Sequence, residues 1–130
     1  MKIDHVGYLT LDIEKTFSVF KKLGWKKRKS CFDSLQKLSI QFITKDNVVL
    51  ELIQPRAKSI ISESYKNKYS DSMYHVAYLV DSIDDTIKSL KKKDVKIVKM
   101  CNKIKSKAFK GSNIIFLMTS IGVIELVESK

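Results

Sequence analysis

Cysteine, proline, glycine, histidine and arginine are all scarce in this chain, and long apolar runs are missing. The two cysteines, Cys31 and Cys101, do not form a Cys-x-x-Cys pair, which points to two free buried thiols rather than a disulfide. One proline and four glycines with no repeating period exclude a fibrous chain. The longest apolar run, residues 114–118, falls far short of the roughly 18 residues a membrane helix needs, so no span is expected. Asp4 and His5 stand where a secretory leader would carry its apolar stretch, so no leader and a cytoplasmic location are expected.

What is present is ordinary globular material, 44% hydrophobic and 30% charged over 130 residues. That length suits one domain able to bury about two-thirds of its unfolded surface. The net charge of +11 comes from 25 basic residues, but Arg28 and Arg56 are the only arginines. Bidentate recognition of phosphates and bases favours arginine, and the lysines are spread along the whole chain. A solvated lysine surface is therefore the first reading and an anionic small molecule the second; nucleic acid is not an expected partner, and neither is a membrane.

The chain repeats itself. Residues 3–26 laid over 73–96 match at nine of 24 positions without a gap, pairing His5 with His75, Tyr8 with Tyr78 and Ile13 with Ile83. Ile13, Phe17 and Phe20 correspond to Ile83, Ile87 and Leu90, the i, i+4, i+7 spacing of one helix face. The later parts repeat at an offset of 74, SIQFI over NIIFL and VLELI over VIELV, so that a phenylalanine precedes a glutamate by nine residues twice: Phe42 and Glu51, Phe116 and Glu125.

Each copy reads as a strand, a helix and three strands. The first has a strand at 3–9, a helix capped by Thr10 or Asp12 running to about Leu23 and ended by Gly24, a lysine-rich edge strand at 25–32, and strands at 36–44 and 48–54 joined by a turn at 45–47. Pro55 is expected just after the last of these. The second has a strand at 73–80, a helix capped by Ser82, and strands near 95–100, 112–118 and 122–128. The expected organisation is α+β, one domain of two tandem βαβββ modules, about 1–55 and 72–130, with a joint at 56–71 carrying a short helix at 59–66. Their curved mixed sheet is expected to surround a metal-binding cleft.

The chain's two histidines occupy equivalent places on the first strand of each copy, and Glu51 and Glu125 occupy equivalent places on the last. A carboxylate among strand hydrophobics is costly unless it is paired or binds a metal. A lone strand histidine is usually a hydrogen-bonded core residue, but two matched His and Glu pairs favour a divalent-metal site of His5, Glu51, His75 and Glu125.

Over residues 2–128 this arrangement resembles the vicinal oxygen chelate superfamily, which includes glyoxalase I, methylmalonyl-CoA epimerase, ring-cleaving dioxygenases and bleomycin-resistance proteins. DHVGYLTLDIEKT and HVAYLVDSIDDTIKSLKKK look like its two opening strand–helix segments, and the four candidate ligands fall where the family's ligands fall. ELIQPRAKSIISESY, KAFKGSNIIFL and GVIELVE are most similar to the epimerase branch. Glutamate at position 51 is more glyoxalase-like, and the epimerase's non-ligand catalytic glutamate aligns with Ser39, which cannot act as a comparable base.

The resemblance implies a metal-dependent lyase or isomerase, epimerase-like or lactoylglutathione lyase-like, that stabilises an enolate of a small, anionic carbonyl or thioester substrate. It also implies Zn, Ni, Co, Mn or Fe as the metal, Glu125 or Glu51 as the proton carrier, and a homodimer. Lys103, Lys105, Lys107 and Lys110 lie in a loop that borders the cleft in the family; Lys107, Lys110 and Ser39 are weaker candidates for substrate contact. The alternative is a non-catalytic sequestering protein of the drug-resistance kind. A ring-cleaving dioxygenase ranks below both, since that site usually uses two His and one Glu. Lys26-Lys27-Arg28-Lys29 reads as a solvated edge strand that discourages sheet-to-sheet pairing.

Overall fold

Two helices are placed by signals local to the sequence. In the computed structural model, which describes residues 1–61 and 63–130, helix α1 spans Ile13–Lys22 and α3 spans Ile83–Lys92. The Asp12 carboxylate accepts from the Lys15 amide, and the Ser82 hydroxyl from the Asp85 amide, each satisfying an orphan first-turn donor. Glu14, or Asp84 with Asp85, sits at the positive end of its helix, and two lysines close each negative end. Beyond α1, Gly24 takes φ +98°, a left-handed stop that favours glycine.

The strands are β1 (Lys2–Leu9), β2 (Lys26–Asp33), β3 (Leu38–Lys45), β4 (Val48–Pro55), β5 (Ser72–Val80), β6 (Val98–Lys99), β7 (Ile104–Ser106), β8 (Ser112–Thr119) and β9 (Gly122–Glu128). A short helix α2 covers Glu63–Tyr69. The helix expected at 59–66 thus begins later and runs further, and Ser62 lies outside the described residues. Pro55 is the last residue of β4 rather than the residue after it.

Contacts along the backbone divide the chain into two units, residues 5–74, and residues 75–130 together with 1–4. In the first, the strands run in the order β2-β3-β4-β1, with β1 parallel to β4 and the other pairs antiparallel. The β3–β4 hairpin turns at Asp46 and Asn47, both at positive φ, as a two-residue turn that matches strand twist requires. One face of this sheet packs on α1: Ile43, Leu50 and Leu52 meet Ile13 and Phe17, flanked by Trp25 and Phe20.

The second unit repeats the plan. β5 is parallel to β9, β8 is antiparallel to β9, and α3 covers Ile115, Leu117, Ile124 and Leu126 through Ile83 and Ile87. The strand expected near 95–100 shrinks to two residues, β6. β7 was not expected; it pairs with β8 ahead of a 3-10 turn at Lys107–Phe109. Lysines and polar residues dominate 91–107, so periodicity carried no signal there. Neither cysteine is in a disulfide, and both are half-buried rather than buried. The fold class is α+β, a mixed sheet arrangement of two βαβββ repeats, the second with an added short strand.

Candidate metal centre

The candidate ligands stand on the face of each sheet turned away from its helix. In the first unit Leu50 and Leu52 point at α1, so Glu51 between them points the other way. Phe42 is its direct partner across β3–β4, and Phe116 is the partner of Glu125 across β8–β9. The nine-residue spacing seen twice in the sequence is therefore a cross-strand pair, used twice.

His5 Nε2 lies 3.3 Å from a Glu51 carboxylate oxygen, and His75 Nε2 lies 2.8 Å from one of Glu125. The four residues are between 1% and 3% exposed, which is what makes them hard to explain as ordinary strand residues. Each imidazole meets its unit's phenylalanine edge-on, His5 at 6.1 Å from Phe42 and His75 at 5.3 Å from Phe116. Burial pushes the Cys101 thiol up, and the nearby Glu125 carboxylate adds to the rise, so this cysteine is a poor nucleophile.

The three weaker candidates lie on β3 and just before β8. Ser39 stands three residues before Phe42 on β3, so it faces the α1 side, where its hydroxyl accepts from the Arg56 guanidinium at 2.7 Å. A base at position 39 would be on the wrong side of the sheet from Glu51, and strand parity alone carried that information. Lys107 is exposed in the 3-10 turn, and Lys110 is exposed at positive φ just after it, its carbonyl accepting from the Lys130 ammonium. Lys103, from the same loop, pairs with Asp84 at 2.9 Å and holds that carboxyl below the usual range.

Sequence reasoning passed over Asp33 and Gln41. Asp33 is 1% exposed on the same face as Phe42, where it accepts from the amides of Leu35 and Gln36 and from the Gln36 side chain. It closes the β2–β3 turn. Its signal was the Asp-Ser pair between two strands, a turn signature.

The family model for the glyoxalase/bleomycin resistance protein/dioxygenase superfamily matches residues 4–116. The chain belongs to this superfamily. No curated protein matches it in sequence. Among solved structures it is similar to a hypothetical protein from Bacillus halodurans C-125, with a TM-score of 0.81 at 22% identity, covering 99% of this chain and 94% of that one. It is similar to methylmalonyl-CoA epimerase from Mycobacterium tuberculosis, with a TM-score of 0.75 at 20% identity, covering 99% and 88%. It is also similar to a Streptomyces coelicolor methylmalonyl-CoA epimerase variant solved with 2-nitronate-propionyl-CoA, with a TM-score of 0.74 at 21% identity, covering 99% and 97%. These likenesses establish the glyoxalase-like fold.

Two imidazoles and two carboxylates, all buried, are a donor set that could bind a metal ion. Mixed nitrogen and oxygen ligation suits most first-row divalent ions, so the donors leave the choice of metal open. No helix among the described residues is long and apolar enough to cross a membrane.

Proposed function

We propose that this protein is a metal-dependent lyase or isomerase that moves a proton next to the carbonyl of a small, anionic carbonyl or thioester compound. One observation carries the reading. Each unit buries a His–Glu pair on the sheet face its helix leaves, at positions where strand hydrophobics would otherwise be expected. On this reading His5, Glu51, His75 and Glu125 hold one divalent ion, Zn, Ni, Co, Mn or Fe. Bound there, the ion supplies Lewis-acid polarisation of a substrate oxygen, which makes the adjacent carbon more acidic.

The chain's own residues do the rest. Glu125 or Glu51 would carry the proton, each being a carboxylate on that face of its sheet. His5 and His75 turn imidazole nitrogens to the site, and Phe42 and Phe116 keep that face apolar beside the carboxylates. Epimerase-like and lactoylglutathione lyase-like chemistry both fit this arrangement, and the active form is a cytoplasmic homodimer.

Elemental analysis of the purified protein, alone and as His5→Ala and Glu125→Ala, tests the reading. About one ion per chain, lost in both variants, is the expected result. Methylmalonyl-CoA gaining deuterium in heavy water then marks the epimerase branch; conversion of the methylglyoxal–glutathione hemithioacetal to the lactoyl thioester marks the lyase branch. Failure to take up metal after reconstitution with all five ions overturns the enzymatic reading in favour of a sequestering protein.

A further inference from the structure

The run Lys26-Lys27-Arg28-Lys29 has no part in the reading above, yet the structure builds something from it. Along β2, Lys27 is opposite Ile43 and Ser30 is opposite Gln41, so Arg28 and Lys29 together face the single residue Phe42. This is a β-bulge, and a bulge re-aims the side chains that follow it. The Gln41 side chain, 7% exposed, fixes it by donating to the carbonyls of Arg28 and Lys29 at 2.9 and 3.3 Å. Strict alternation from Lys27, which lies over Phe17 and pairs with Glu14, would put Lys29 on the α1 side. Instead its ammonium lies 5.1 Å over the Phe42 ring, on the Glu51 face.

Next to it, Lys26, Arg28 and Lys45 line a pocket of about 570 Å³ with Thr44, Asn47 and Val49. Gly24 is part of its wall: a Cβ there would come within 2.9 Å of the Lys45 ammonium. Asp46, 3.8 Å from that ammonium, is the one acid among the lining residues. Three cations against one carboxylate leave the pocket in need of an anion. Arg28 supplies a planar fork suited to phosphate oxygens, and Thr44 and Asn47 supply neutral donors. Val49 precedes Glu51 by two residues on the same strand face, so the pocket ends about 7 Å along the strand from that ligand.

We propose that Lys26, Arg28 and Lys45 form a phosphoanion subsite that holds a phosphate or diphosphate group of a small organic anion, with Lys29 extending the basic strip toward Glu51. Its link to catalysis rests on the function proposed above; its binding chemistry does not.

The test is a titration of the full chain with inorganic pyrophosphate after chelator treatment, followed by calorimetry and by backbone amide shifts. Metal-free protein keeps a failed metal site from passing as a failed subsite. Saturable binding is expected, with shifts centred on Thr44, Asn47 and Val49, and about tenfold weaker affinity in Arg28→Ala and in Lys45→Ala. Lys91→Ala with Lys92→Ala, on the last turn of α3, should leave it unchanged. Tighter binding of ADP than of pyrophosphate, lost in the same variants, assigns the group to an organic ligand; equal binding assigns it to a free phosphoanion. No saturable binding, or equal weakening by the α3 pair, overturns the proposal.

Discussion

Glu51 and Glu125 are each set directly across from a phenylalanine and within reach of a buried imidazole. A buried carboxylate deprived of its partner is strongly destabilising, so His75→Ala should cost more stability than the packing it removes, whereas the double change with Glu125→Gln should recover part of the loss. Urea midpoints of the two variants check this. Ser39 gives the opposite expectation. Because it faces α1 and accepts from Arg56, Ser39→Ala should leave metal content unchanged, and Ser39→Glu should create no new proton-transfer activity toward methylmalonyl-CoA. Gained deuterium exchange in Ser39→Glu would show that position 39 reaches the reacting carbon after all.

Strand and helix are stitched together the same way in both copies. The Gln54 side chain, three residues after Glu51, accepts from the Ile13 amide at 3.1 Å; the Glu128 carboxylate, three residues after Glu125, accepts from the Ile83 amide at 2.9 Å. Each closes a first-turn donor of the helix that packs on its sheet. At Glu128 this bond, with a second from Asn113, holds the carboxyl below its usual range. A depressed carboxyl contributes stability above its unfolded value and loses it as pH falls through its folded one. Glu128→Gln should therefore be less stable than the parent near pH 7, and the gap should close below about pH 4. Denaturation midpoints across that range decide it; a gap that persists in acid would mean that charge is not what the position contributes. Packing on the same elements sets a larger scale: Leu52, fully buried under α1, should cost about 2–5 kcal/mol as Leu52→Ala.

For the whole chain, the proposed ion links stability to metal. Binding to the folded state alone stabilises by RT ln(1 + [L]/Kd), about 2.7 kcal/mol at a hundredfold excess over Kd. Scanning calorimetry should show a rise in Tm on adding the metal, its reversal by chelator, and no rise in His75→Ala. Both βαβββ repeats, the helix caps and the His–Glu doublets were legible in sequence, because each is written in local spacing: period 3.6 for α1 and α3, period 2 for β4 and β9, and a polar residue before each first turn. The 59–66 helix begins and ends later than expected and the 95–100 strand is shorter, because neither stretch carries a sustained period.

By itself the sequence determined that this chain contains the same unit twice, about where α1 and α3 begin, and which face of β4 and β9 bears a carboxylate. Only the tertiary structure decided which side chains of β2 turn to the face of Glu51. Pairing between β2 and β3 sets the register there, and one extra residue at Arg28–Lys29 reverses the facing of everything after it. Alternation along a single strand cannot see that residue, because a bulge exists only relative to the strand it fails to match.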